Sequence, residues 1–125
     1  MANILVVEDD KFLGREIGMA LEGGGHEVFW IKNSDEVSEA LESQSFDLIF
    51  LDIMLPGNKD GYALLAEMKN SEKYKNVPVV MLSNLGQMSE IDKAMEMGAM
   101  DYVVKSNIDL DNLVELTSKK FLHNG

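Results

Sequence analysis

Three short stretches constrain this chain more than any other feature of it. "NILVVE" at 3 to 8, "DLIFLD" at 47 to 52 and "VPVVML" at 77 to 82 are apolar almost without interruption. A strand with one face in water alternates apolar and polar residues, because successive side chains point to opposite faces. A strand covered on both faces by helices shows no such alternation. These runs therefore predict a parallel sheet buried between two helical layers. "EVFWI" at 27 to 31 and "MDYVV" at 100 to 104 bring the strands to five.

The segments between them carry a helical period. Leu13, Ile17, Ala20 and Leu21 recur at helical spacing, and "GGG" at 23 to 25 stops that helix. Asn33, with Glu36 three residues on, predicts a capped start ahead of Val37, Ala40 and Leu41. A third helix is expected from about Gly61 to Asn70, and a fourth from about Gln87 to Glu96 with Gly98 closing it. In the last, Leu110, Leu113, Val114, Thr117 and Phe121 share one face, and Lys119 and Lys120 fall near the negative end of the helix dipole. Five strand-then-helix repeats with crossovers of this length imply a doubly wound α/β fold. With 125 residues and 46% hydrophobic content, residues 1 to 125 are expected to form one domain around one sizeable core.

Composition narrows the function classes. Eleven basic residues against 22 acidic ones give a formal charge of −11, and the lysines are scattered, so direct binding to nucleic acid or anionic lipid is not expected. The absence of cysteine removes disulfides and thiolate metal sites. At the start, "ILVV" is followed at once by acids, too short for a signal segment or membrane insertion. A cytoplasmic protein is the expectation.

The polar residues that end the apolar runs carry the chemistry. In a doubly wound sheet, ligands bind beyond the carboxyl ends of the strands. Glu8 and Asp9 follow the first strand, Asp52 ends the third, Ser83 follows the fourth and Lys105 follows the fifth, so all five share one edge. Two carboxylates roughly 5 Å apart at an effective dielectric of about 20 repel by around 3 kcal/mol. A hard divalent cation such as Mg²⁺ relieves that repulsion, and the Lys105 ammonium supplies a further positive charge. With the Ser83 hydroxyl, the set suits a transferring phosphoryl group, and Asp52 is the candidate nucleophile. Each residue alone also has a plain structural reading. Asp10 is expected simply to cap the first helix.

These residues sit in pieces whose order is specific: "ILVVEDD", "DLIFLDIMLPG", "DG" at 60 and 61, "VPVVMLS" and "GAMDYVVK". Over residues 3 to 122 the chain resembles the receiver domain of two-component response regulators, most closely the stand-alone, chemotaxis-regulator-like kind. The resemblance implies a flavodoxin-like five-stranded sheet of order 2-1-3-4-5 with helices on both faces. It implies that Asp52 accepts a phosphoryl group from the phosphohistidine of a sensor histidine kinase or histidine phosphotransfer protein. It further implies that Asp9, Asp52 and the backbone carbonyl of Met54 bind Mg²⁺, with Glu8 reaching the ion through water. Lys105 and Ser83 match the positions that contact the phosphoryl oxygens, and Tyr102 matches the aromatic that changes rotamer as the serine is drawn inward. The implied output is a switched face of helix four, strand five and helix five that meets a downstream protein target. Such a chain is a phosphoacceptor signalling protein rather than an enzyme, although it assists its own phosphorylation and dephosphorylation.

Three departures accompany the resemblance. Ser106 stands where a proline joined by a cis bond usually follows the lysine; a non-proline cis bond costs about 3 kcal/mol, so a trans bond is expected here. Asn84 replaces a commonly small residue after Ser83, and "GNKD" between Pro56 and Gly61 is one residue longer than usual, bringing Lys59 near the site. They motivate the alternative of a degenerate receiver acting as a phosphorylation-independent interaction module. A flavin-binding domain of the same topology would need a phosphate-cradling loop after the first strand, where "EDDKF" is acidic and lacks glycine. A phosphatase with an aspartate nucleophile would want an acid at position 54, which is Met54. His26 and His123 stand apart from the acidic edge and are read as incidental, the nine methionines as core filling. Only "HNG" follows the last helix, so no output domain is expected.

Overall fold

The computed structural model describes residues 2–122. Five strands, β1 (Asn3–Val7), β2 (Glu27–Ile31), β3 (Leu48–Asp52), β4 (Val79–Ser83) and β5 (Asp101–Val104), pair in the order β2-β1-β3-β4-β5. All four ladders are parallel, as the unbroken apolar runs require. The helices are α1 (Lys11–Gly23), α2 (Val37–Ser43), α3 (Gly61–Lys69), α4 (Met88–Glu96) and α5 (Leu110–Leu116). Every residue of β3 and β4 is buried, whereas the four residues of β5 are half-buried, as befits an edge strand.

Alternation along each strand divides the core in two. Ile4, Val6, Leu48, Phe50, Val80 and Leu82 face Ile17 and Leu21 of α1, Leu113 of α5 and Phe121. Leu5, Val7, Ile49, Leu51, Val79 and Met81 face Val37 and Leu41 of α2, Leu64 and Leu65 of α3, and Ala94 of α4. Each of these side chains larger than alanine contributes about 1.5–3 kcal/mol on burial. Phe50 and Phe121 meet edge to face with centroids 6.1 Å apart. Because the strands are parallel, the residues after β1, β3, β4 and β5 emerge on one edge, at the crevice where the order reverses between β1 and β3.

The boundaries differ from expectation where tertiary bonds intervene. β4 starts at Val79 rather than Val77, because the Val77 N–H turns back to the Tyr74 carbonyl and Pro78 has no N–H to give. It extends to Ser83, which pairs with Val104. Asn33 and Glu36 meet side chain to side chain at 3.0 Å, not as backbone caps; a 3-10 turn over Ser34–Glu36 precedes α2 instead. That turn is fastened to the chain after β3 by the Ser34 N–H on the Pro56 carbonyl at 2.9 Å. After α5 the chain continues as a π-helical turn over Thr117–Phe121, with the buried Thr117 hydroxyl donating to the Leu113 carbonyl. Lys119 and Lys120 fall in this last turn, where they pair with Glu115 and Asp101. His26 lies at the opposite edge of the sheet from the acids, its Nδ1 accepting from the Ala2 N–H. His123 and the "HNG" tail lie outside the described residues.

Candidate functional site

The loop after β1 is shaped by three consecutive acids with different tasks. Asp10 is the N-cap of α1: its Oδ1 accepts from the N–H groups of Phe12 at 2.9 Å and Leu13 at 3.2 Å, as expected from sequence. Glu8 is fully buried, and its Oε2 accepts from the Asp10 N–H at 3.0 Å. Asp9, between them, is exposed. Asp52, the last residue of β3, is 2% exposed, and its Oδ1 accepts from the Met54 N–H at 3.3 Å. A carboxylate oxygen from each of Glu8, Asp9 and Asp52 lies within 4.8 Å of the others.

Lys105 opens the 3-10 turn after β5, and its side chain reaches across the edge. Its Nζ donates to Asp52 Oδ2 at 2.9 Å and lies 2.6 Å from Glu8 Oε1, an ion pair that leaves Glu8 Oε1 without an aligned hydrogen bond. Burial pushes the Glu8 carboxyl up to about 7 against the pull of Lys105 and the Asp10 N–H. Burial likewise raises Asp52, again opposed by Lys105. Burial disfavours the Lys105 charge, but Glu8 and Asp52 outweigh it and hold the ammonium above its usual range. One ammonium against three carboxylates leaves the cluster net negative. The donor set is all oxygen, closely spaced and open to solvent on the Asp9 side, which fits a hard divalent cation.

Ser83 and Tyr102 converge on a different point. The Ser83 Oγ accepts from the Leu85 N–H at 3.0 Å, while the Tyr102 hydroxyl donates to the Leu85 carbonyl. The two side chains thus grip the same residue of the β4–α4 loop. Asn84 is exposed. The Lys105–Ser106 peptide bond is trans, and there is no cis bond among the described residues. Lys59, in the longer loop, pairs with Glu67 of α3. The longer loop is ordered by the 3-10 turn: the Asn58 N–H donates to Asp35 and the Lys59 N–H to Ser34. It turns at Gly57, whose φ of +111° is left-handed and where a Cβ would lie 2.3 Å from the Ser34 Oγ.

Sequence reasoning did not single out two further groups. The Tyr62 hydroxyl of α3 donates to the Glu90 carboxylate of α4, and the Lys93 ammonium stands 4.1 Å from the Tyr62 ring centroid. These residues form one wall of an open cleft of about 620 Å³ that Asp9 and Met54 also line. The indole of Trp30 donates to the Glu8 carbonyl at 2.8 Å. Its available signal was the interior helix glycine Gly14, which has no turn to explain it.

The edge with its acids, lysine and serine can be compared with known proteins. The family model for the response regulator receiver domain matches residues 4–118. The chain belongs to the response regulator receiver family. Response regulator protein FleR of Pseudomonas aeruginosa is 33% identical over 104 residues, covering 83% of this chain and 21% of FleR. The curated relatives it matches are longer, the chain spanning 21% of FleR and 46% of the phosphate regulon regulator PhoB of Rhizobium meliloti. A putative response regulator from Chloroflexus aurantiacus shares the fold with a TM-score of 0.88 at 29% identity, covering 98% of each chain. The response regulator Rcp1, solved in a Mn²⁺-bound form, is 27% identical with a TM-score of 0.83, covering 95% of this chain and 94% of Rcp1. Receivers of this family work in two-component signalling, with phosphoryl transfer as their general function.

Proposed function

We propose that this receiver takes a phosphoryl group onto Asp52 from a phosphohistidine of a sensor histidine kinase or phosphotransfer protein, and that the modified form binds a downstream protein. The observation that carries this reading is the pairing of a buried Asp52 with Lys105 at 2.9 Å inside a cluster of two further carboxylates. Asp9 and Asp52, with the backbone carbonyl of Met54 and with Glu8 through water, would hold Mg²⁺. Its positive charge would neutralise the phosphoryl oxygens and the acids together.

An Asp52 carboxylate oxygen attacks phosphorus, the new O–P bond forms as the N–P bond of the donor breaks, and the imidazole nitrogen leaves with the electron pair. Burial keeps water away from the nucleophile, and the Met54 N–H fixes its other oxygen. Lys105 turns from the carboxylate to the oxygen of the phosphoryl group that now sits there. The Ser83 hydroxyl, released from the Leu85 N–H, donates to a second phosphoryl oxygen, and the Tyr102 hydroxyl loses its fixed acceptor as the loop moves. The α4, β5 and α5 face would thereby change shape and carry the output. The same groups would hold the water that later hydrolyses the acyl phosphate. No helix among the described residues is long and apolar enough to cross a membrane.

The test is incubation with acetyl phosphate and Mg²⁺ followed by intact mass. The native protein is expected to gain one acid-stable, base-labile phosphoryl group, and Asp52→Asn none. An unmodified native protein would turn the assignment toward a phosphorylation-independent interaction module.

A further inference from the structure

Trp30 is the one tryptophan of the chain and lies on β2, which carries none of the residues placed at the site above. Its indole N–H reaches 2.8 Å to the carbonyl of Glu8, one residue beyond the end of β1. The Glu8 N–H donates to the Ile31 carbonyl at 3.0 Å. Both main-chain polar groups of Glu8 are therefore held by β2, one through its backbone and one through the indole. Glu8 is 0% exposed, so water does not readily replace a lost partner. A turn of this peptide would swing the Glu8 carboxylate and displace Asp9 after it.

The opposite side of the indole is equally determined. Gly14 sits inside α1, where glycine is about 1 kcal/mol less favourable than alanine. A Cβ at Gly14 would lie 2.3 Å from Trp30 Cε2 and 2.4 Å from Nε1. The helix thus forgoes a methyl group where the indole lies against its backbone, and that seat aims the nitrogen at Glu8.

We infer that Trp30 is a positioning residue: seated in the Gly14 notch, it fixes the Glu8 main chain through its N–H and so holds Glu8 and Asp9 at the spacing from Asp52 that a divalent cation needs. This rests on reading the acidic cluster as a cation site, and the experiment separates the two.

Because the chain has a single tryptophan, biosynthetic replacement touches this position alone. β-(3-Benzothienyl)alanine keeps the ring shape but has sulfur in place of N–H, whereas 5-fluorotryptophan keeps the N–H. Calorimetric titration with MgCl₂ is expected to show a dissociation constant raised about three- to tenfold in the benzothienyl protein and unchanged in the fluorinated one. Gly14→Ala, which leaves the indole present but unseats it, is expected to weaken binding in the same direction, and the ¹⁹F resonance of the fluorinated protein to move on adding Mg²⁺. A benzothienyl protein of lower Tm but native affinity for Mg²⁺ would overturn the inference and leave Trp30 a packing residue. A native protein that does not bind Mg²⁺ would overturn the cation site itself, and this inference with it.

Discussion

Among the acids at the site, Glu8 is held well away from its ordinary behaviour. Its carboxyl is raised from 4.5 to about 7 by burial, so between those values the folded chain holds a proton that the unfolded chain has released. Stability from this group is full below about pH 4.5 and is lost as pH rises through about 7. Asp52, raised by the same cause, acts in the same direction. In metal-free protein, urea unfolding is expected to show stability falling by about 1–2 kcal/mol from pH 5 to pH 8, the coupling to Lys105 keeping it below the full linkage of about 1.4 kcal/mol per unit. Glu8→Gln, neutral throughout, is expected to flatten that slope; parallel slopes in the two proteins would remove burial of Glu8 as the cause. Glu8, Asp9, Asp52, Ser83 and Lys105 were legible in the sequence because each is a polar residue where an apolar run stops. What Ser83 and Tyr102 touch was not legible: both bond to Leu85, a contact set by loop geometry. Trp30 was hidden for a different reason, since a tryptophan in a strand reads as core and its bond spans 22 positions.

Among the helices, α4 is anchored weakly by burial, with the small Ala94 its one buried residue. Its N-cap, Gln87, makes no side-chain capping bond, so the helix gains little from its own terminus. The Tyr62 hydroxyl bonds both the backbone carbonyl and the carboxylate of Glu90, in the first turn of α4, and so supplies part of the anchoring from α3. Tyr62→Phe keeps the ring under Lys93 but removes the hydroxyl, a loss of about 1 kcal/mol. Amide exchange in α4 is expected to speed up roughly fivefold while exchange in α1 stays as it was; equal changes in both helices would mean global destabilisation instead. At α1 the reverse holds, because Asp10 caps two N–H groups, and Asp10→Ala is expected to reduce thermal stability by about 1 kcal/mol. Periodicity located all five helices because each has an apolar face. It missed the 3-10 turn at Ser34, fastened from outside the helix by the Ser34 N–H on the Pro56 carbonyl, and the π-helical turn at Thr117, closed by the Leu122 N–H on the Thr117 carbonyl five residues back.

For the whole molecule, the apolar runs specified a sheet with two covered faces, but local pattern does not rank neighbours among five similar strands. The order β2-β1-β3-β4-β5 followed from the resemblance to receivers, and it is what brings Asp52 beside Glu8 and Lys105. The same topology gathers negative charge at one edge of a chain already at −11, so a divalent salt acts on it in two separable ways. General screening depends on ionic strength and reaches every surface acid, whereas occupancy of the cluster depends on Mg²⁺ activity. At about ten times its dissociation constant, Mg²⁺ is expected to add about 1.4 kcal/mol, a rise of roughly 5 °C in Tm. NaCl at matched ionic strength is expected to give less, and Asp9→Asn or Asp52→Asn to lose the Mg²⁺ increment while keeping the NaCl response. The increment is expected to be larger at pH 8 than at pH 5, because protons compete for the raised Glu8 and Asp52 carboxyls at the lower pH. Equal shifts from the two salts in the native protein would place the effect on the surface as a whole and take the cation away from this edge.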